Sequence, residues 1–104
     1  MAVEREWVVQ YRRLGAKKWR DSHVESFPTR PSETLIKDEF IETAEDLIYF
    51  KGNNDTPKLS GDFEVRVVRR EFIEREIPIG RVKRFNNQDI IRDIIEKYPE
   101  SFSN

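Results

Sequence analysis

Glu6-Trp7-Val8-Val9-Gln10-Tyr11-Arg12-Arg13 is the stretch on which the fold turns. Trp7, Val9 and Tyr11 alternate onto one face, while Glu6, Gln10 and Arg12 take the other. A two-residue period of this kind belongs to a strand with one buried face. Leu14-Gly15-Ala16-Lys17 follows as a hairpin turn, with Gly15 free to adopt a positive φ. A returning strand is therefore expected within residues 18–27. Its period is broken, because Trp19 and Phe27 share a parity with Asp21 and His23 whereas Val24 does not. A β-bulge or a change of face near His23 would reconcile the pattern.

Pro28 and Pro31 end this strand and introduce a helix. Ser32 is its N-cap, since a hydroxyl there can accept from an otherwise unpaired first-turn N–H. Ile36, Phe40, Ala44, Leu47 and Ile48 recur at helical spacing, and Leu35 and Ile41 widen the stripe. The spacing predicts a helix from Ser32 to about Phe50, with Gly52 as its stop. Residues 52–62 form a polar loop in which Leu59 alone is a candidate for the core.

Beyond the loop, Phe63, Val65 and Val67 oppose Glu64, Arg66, Val68 and Arg70 in a third strand, which Pro78 and Gly80 are expected to interrupt. A last helix, capped by Asn86 or Asn87, carries Ile90, Ile91, Ile94, Ile95 and Tyr98 on one stripe, with Pro99 beyond it. The expected fold class is α+β: a small antiparallel sheet in the order β-β-α-β, covered by one long helix, plus a C-terminal helix. All 104 residues make one domain, with a core over about 5–75 and the last helix over about 87–98.

Composition narrows the functional classes. Hydrophobic residues make up 37% of the chain and charged ones 38%, yet seven Phe, three Tyr and two Trp supply core material that disordered chains lack. Cysteine is absent, which removes disulfides, thiolate metal sites and cysteine nucleophiles. No run of apolar residues approaches the ~18 needed to span a bilayer, and Met1 to Trp7 does not resemble a signal peptide. A cytoplasmic location with no membrane partner is expected.

Catalysis has little support. The single histidine stands in Asp21-Ser22-His23, but neighbours on a strand alternate between faces and cannot assemble a proton relay. No Gly-rich phosphate loop or metal-ligand spacing is present, and each helix carboxylate reads as solvated. The expectation is a protein that is not an enzyme, with no catalytic residue, metal or cofactor.

Two binding readings remain. Net charge is −1, but residues 12–20 hold Arg12, Arg13, Lys17, Lys18 and Arg20 without an acid, while the first helix is acidic. Lys17, Lys18 and Arg20 around Trp19, with Arg12, Arg66 and Arg70 on the outer sheet face, would suit phosphates and a stacked base. A nucleic acid or nucleotide is one candidate partner, although the pI of about 5.9 weighs against a dedicated binder. The favoured class is protein–protein contact. Phe72, Ile77 and Ile79 serve no obvious strand face, and Ile91, Ile95 and Tyr98 need a cover once the long helix has claimed the sheet. These six form the expected interface, with a host protein or a second copy in a homodimer as partner.

Trp-Val-Val-Gln-Tyr-Arg-Arg (7–13), Gly15, Trp19 and Glu-Ser-Phe-Pro-Thr (25–29) ahead of a helix resemble the opening of small bacteriophage or prophage accessory proteins. The same order is similar to the arm-type DNA-binding domain of phage integrases, from which this chain departs by its acidic helix and the strand after it. The resemblance covers roughly the N-terminal quarter of the chain. It implies a protein that acts by occupying a host factor, including components of antiviral defence.

Overall fold

The computed structural model describes residues 5–22, 26–50, 57–71 and 75–102. His23, Phe72, Ile73 and residues 52–56 of the polar loop lie outside them. The alternating stretch forms β1 (Arg5–Arg13), which pairs antiparallel with β3 (Phe63–Glu71) from Arg5 opposite Glu71 to Arg13 opposite Phe63. Trp7, Val9 and Tyr11 share the inner face with Phe63, Val65 and Val67, as their period requires. On the outer face Val8 and Val68 stand opposite one another and are buried too.

The turn after β1 is closed by the Ala16 N–H donating to Arg13 O at 2.9 Å, and Gly15 has φ +91°. The returning strand is shorter than expected. β2 is Arg20–Asp21 alone, opposite Tyr11 and Gln10, and pairing resumes only where Phe27 bridges Trp7. More chain is spent between Asp21 and Phe27 than between Gln10 and Trp7, so the register does jump in this region.

The sheet has a strand that the sequence reading lacked. β4 (Arg75–Phe85) runs antiparallel to β3 and completes the order β2-β1-β3-β4. Pro78 and Gly80 lie inside it rather than interrupting it. Pro78, opposite Val68, has no N–H to give, and a strand with one free side can spare that donor. Gly80 (φ +74°) sits in a bulge, where β4 carries Gly80, Arg81 and Val82 while β3 has only Arg66. Ile77 and Ile79 therefore do serve a strand face: they point inward, opposite Arg69 and Val67.

Helix α1 (Glu33–Glu45) begins at Ser32, whose hydroxyl accepts from the Leu35 N–H at 3.2 Å. It stops short of Phe50. The Asp46 and Leu47 N–H groups reach Thr43 and Ala44 in tightened final turns, and Tyr49 then exchanges two backbone bonds with Lys58. That extended bridge cannot be made from a helix, so the chain leaves the helical path before Gly52.

Helix α2 (Asn87–Lys97) is capped by Asn86, which accepts from the Asp89 N–H at 2.8 Å, and a short α3 (Pro99–Phe102) follows. Of its apolar stripe, Ile90 and Ile94 complete the cover of the sheet within this chain. Both are buried in the cluster that holds Phe40, Phe63, Val65 and Leu59, so α1 and α2 share the inner face. The tie is also polar: Glu45 receives Lys97 Nζ at 2.9 Å and the Tyr98 hydroxyl at 3.1 Å, and Lys37 pairs with Asp93. At the centre, Phe40 lies between the rings of Tyr11, Phe63 and Phe85, with centroids at 6.2, 5.6 and 5.2 Å. Rings at such spacings add to the gain from burying their area.

Candidate functional site

The outer sheet face gathers most of the expected binding residues. Gln10 is its hub: its Oε1 accepts from Arg66 Nε at 2.9 Å, and its Nε2 donates to Asp21 at 2.9 Å and to Glu76 at 3.3 Å. Arg70 donates to both Asp21 oxygens at 3.1 and 3.2 Å, to Glu76 at 2.8 Å and to Glu6 at 3.5 Å. Arg12 pairs with Glu64 at 3.2 Å. Burial would raise the Asp21 carboxyl, but bonds from Gln10 and Arg70 outweigh it and hold the group below its usual value. Its bonds to Asp21 and to Glu76 push the Arg70 guanidinium up, whereas partial burial and nearby Arg12 draw Arg66 down against the pull of Glu76.

Trp19 joins this face rather than standing free at the hairpin tip. Arg12 Cζ lies 4.3 Å and Arg66 Cζ 4.4 Å from its ring centroid. Two guanidiniums on one indole make a strong cation–π contact that pins the hairpin to the sheet. The three arginines read as phosphate ligands are thus matched by Glu6, Asp21, Glu64 and Glu76, and a phosphate there would have to displace carboxylates. Lys17, Lys18 and Arg20 are exposed and have no ion-pair partner among the described residues.

A second surface lies beside α2. Ile91 and Ile95 are half-buried and line a groove of about 700 Å³ with Tyr49, Pro57 and Leu59, rimmed by Lys58, Arg92 and Glu96. Tyr49 is 49% exposed. The bridge between Tyr49 and Lys58 holds one wall, and the docking of Ile90 and Ile94 in the core sets the other. Ile91 and Ile95 are visible in the sequence as part of the helical stripe, whereas Tyr49 follows the helical period of α1 and its extended position has no sequence signal. Tyr98 is turned away toward Glu45, and Ile77 and Ile79 lie on the far strand, so the five expected interface residues that are described do not form one patch, and Phe72 lies outside the described residues.

One helix carboxylate is not solvated as expected. Glu39 is 5% exposed and accepts from the Ser22 hydroxyl at 2.9 Å, a bond within the fold. Among the described residues there is no group of three or more His, Asp or Glu side chains placed to hold a metal ion, and no helix is long and apolar enough to cross a membrane. No family model matches the chain, and no curated protein or solved structure matches it either.

Proposed function

We propose that this is a non-catalytic binding protein that acts by contact with another protein, through the groove between α2 and the Tyr49–Leu59 segment. The observation that carries this reading is the combination of half-buried Ile91 and Ile95 with exposed Tyr49, ringed by Lys58, Arg92 and Glu96. An apolar floor with an aromatic and an arginine at its edge has the composition of interface hot spots. The outer sheet face supports the nucleic-acid reading less well, because its arginines are engaged by carboxylates and its tryptophan by the arginines. The host-factor role implied by the phage resemblance is the setting in which such a contact would operate.

The test is affinity capture from host lysate with wild-type protein and with a Tyr49→Ala, Arg92→Glu variant, each with and without nuclease. Both side chains are exposed, so the fold should survive the changes. A protein captured by the wild type after nuclease and lost with the variant supports the reading. Capture that depends on nucleic acid, or that the variant retains, contradicts it.

A further inference from the structure

The bulge of β4 faces the start of α1 across a recess of about 330 Å³, at the lower end of ligand-pocket sizes. Ile36, Val67 and Ile79 form its apolar lining, and Arg30, Arg81 and Lys83 stand around it. Glu33, paired with Lys83, is the one carboxylate among the lining residues. Neither Arg30 nor Arg81 has a carboxylate partner among the described residues, and both are exposed. The recess thus differs from the outer sheet face, where every arginine of the network meets an acid. Gathering three cations against one anion costs free energy that a bound anion would offset. Gly80 supports the arrangement: a Cβ there would lie 3.1 Å from Arg30 Nη2, so only glycine leaves the guanidinium its present position without displacement.

We propose that this recess binds a small organic oxyanion, a carboxylate or phosphate group carried on a short apolar body. The oxygens would take the planar donors of Arg30 and Arg81, whose fork geometry suits both anions, and the body would rest on Ile36, Val67 and Ile79. Lys83 is already held by Glu33 and contributes charge rather than a free donor. The site is separate from the α2 groove and stands or falls independently of the protein-contact reading.

The test is an NMR titration of the full chain with isovalerate, acetate and inorganic phosphate, with the neutral alcohol of the same carbon skeleton as isovalerate as control. Saturable shifts centred on the Ile79 and Gly80 amides are expected for isovalerate or phosphate. If a carboxylate is the preferred group, isovalerate should bind more tightly than acetate because of its apolar body. An Arg30→Gln, Arg81→Gln variant should lose roughly tenfold or more in affinity, as removal of charge-assisted bonds implies. A Lys17→Gln, Lys18→Gln variant should bind as wild type. Absence of saturable shifts with any of the anions, equal affinity in the Arg30, Arg81 variant, or equal binding of the alcohol would overturn the proposal.

Discussion

The hydroxyl of Ser22, just past the short edge strand β2, donates to the carboxylate of Glu39 inside α1 at 2.9 Å, and both side chains are buried. One bond thus ties the weakest edge of the sheet to the helix that covers it. Ser22→Ala should cost about 1–3 kcal/mol, because a buried carboxylate loses a donor. Glu42→Ala, on the exposed side of the same helix, should shift stability by no more than about 0.5 kcal/mol. Urea midpoints of the two variants decide the point, and equal midpoints would show that the bond contributes nothing.

Phe40 has no exposed surface and lies among three other rings. Truncation to Ala should cost ~3–5 kcal/mol, a large share of the stability of a domain this small. Leu35→Ala on the same helix should cost far less, since Leu35 is 39% exposed. Thermal melts within a degree or two of one another for the two variants, about what a few tenths of a kcal/mol would produce, would mean that the core is not centred on Phe40.

Asp21 gives the fold an acid-side dependence. Its folded carboxyl is held below the ordinary value of 3.8 by Gln10 and Arg70, so it binds protons less readily than in the unfolded chain. Its contribution is complete above that ordinary value and is lost as pH falls through the lower folded value. Asp21→Asn should therefore be less stable than wild type at neutral pH, and the difference should shrink on the acid limb. A gap between the two melting curves that stays constant across that limb would remove Asp21 from the account.

How much of this was legible in the sequence depends on how local the cause was. Trp7, Val9 and Tyr11 declare β1 by their period alone, and Ser32 and Asn86 cap the helices their sequences announce. β4 was hidden because Pro78 and Gly80 break interior strands, whereas here one lies on a free edge and the other in a bulge. Glu39 reads as solvated until Ser22 is brought against it by the hairpin. Arg12, Trp19 and Arg66 group on one face by strand parity and the hairpin, but the acids that neutralise this face come from four separate segments, and only strand register reveals the match. Arg30 and Arg81 are far apart in sequence and carry no shared motif, so their meeting at the bulge had no sequence signal.

The basic hairpin still offers a discriminating experiment. Replacing Lys17, Lys18 and Arg20 by Ala should leave the melting temperature nearly unchanged, since all three are exposed. The protein-contact reading predicts no salt-sensitive binding of single- or double-stranded DNA or RNA by wild type. If such binding is present, weakens in the variant and shows a flatter salt dependence, the hairpin is a phosphate-binding element after all.

Whether the α2 groove is the occupied surface can be read by site-specific photo-crosslinking from two positions, Arg92 on its rim and Lys17 at the hairpin tip. Both are exposed, so either can carry a crosslinker without loss of the core. Crosslinking in host lysate, followed by nuclease digestion and mass analysis, reads out which surface is occupied and by what, including a second copy of the chain. A protein-binding groove should give a discrete protein adduct from position 92 that survives nuclease and is absent from position 17. Adducts formed only from position 17 and abolished by nuclease would contradict it.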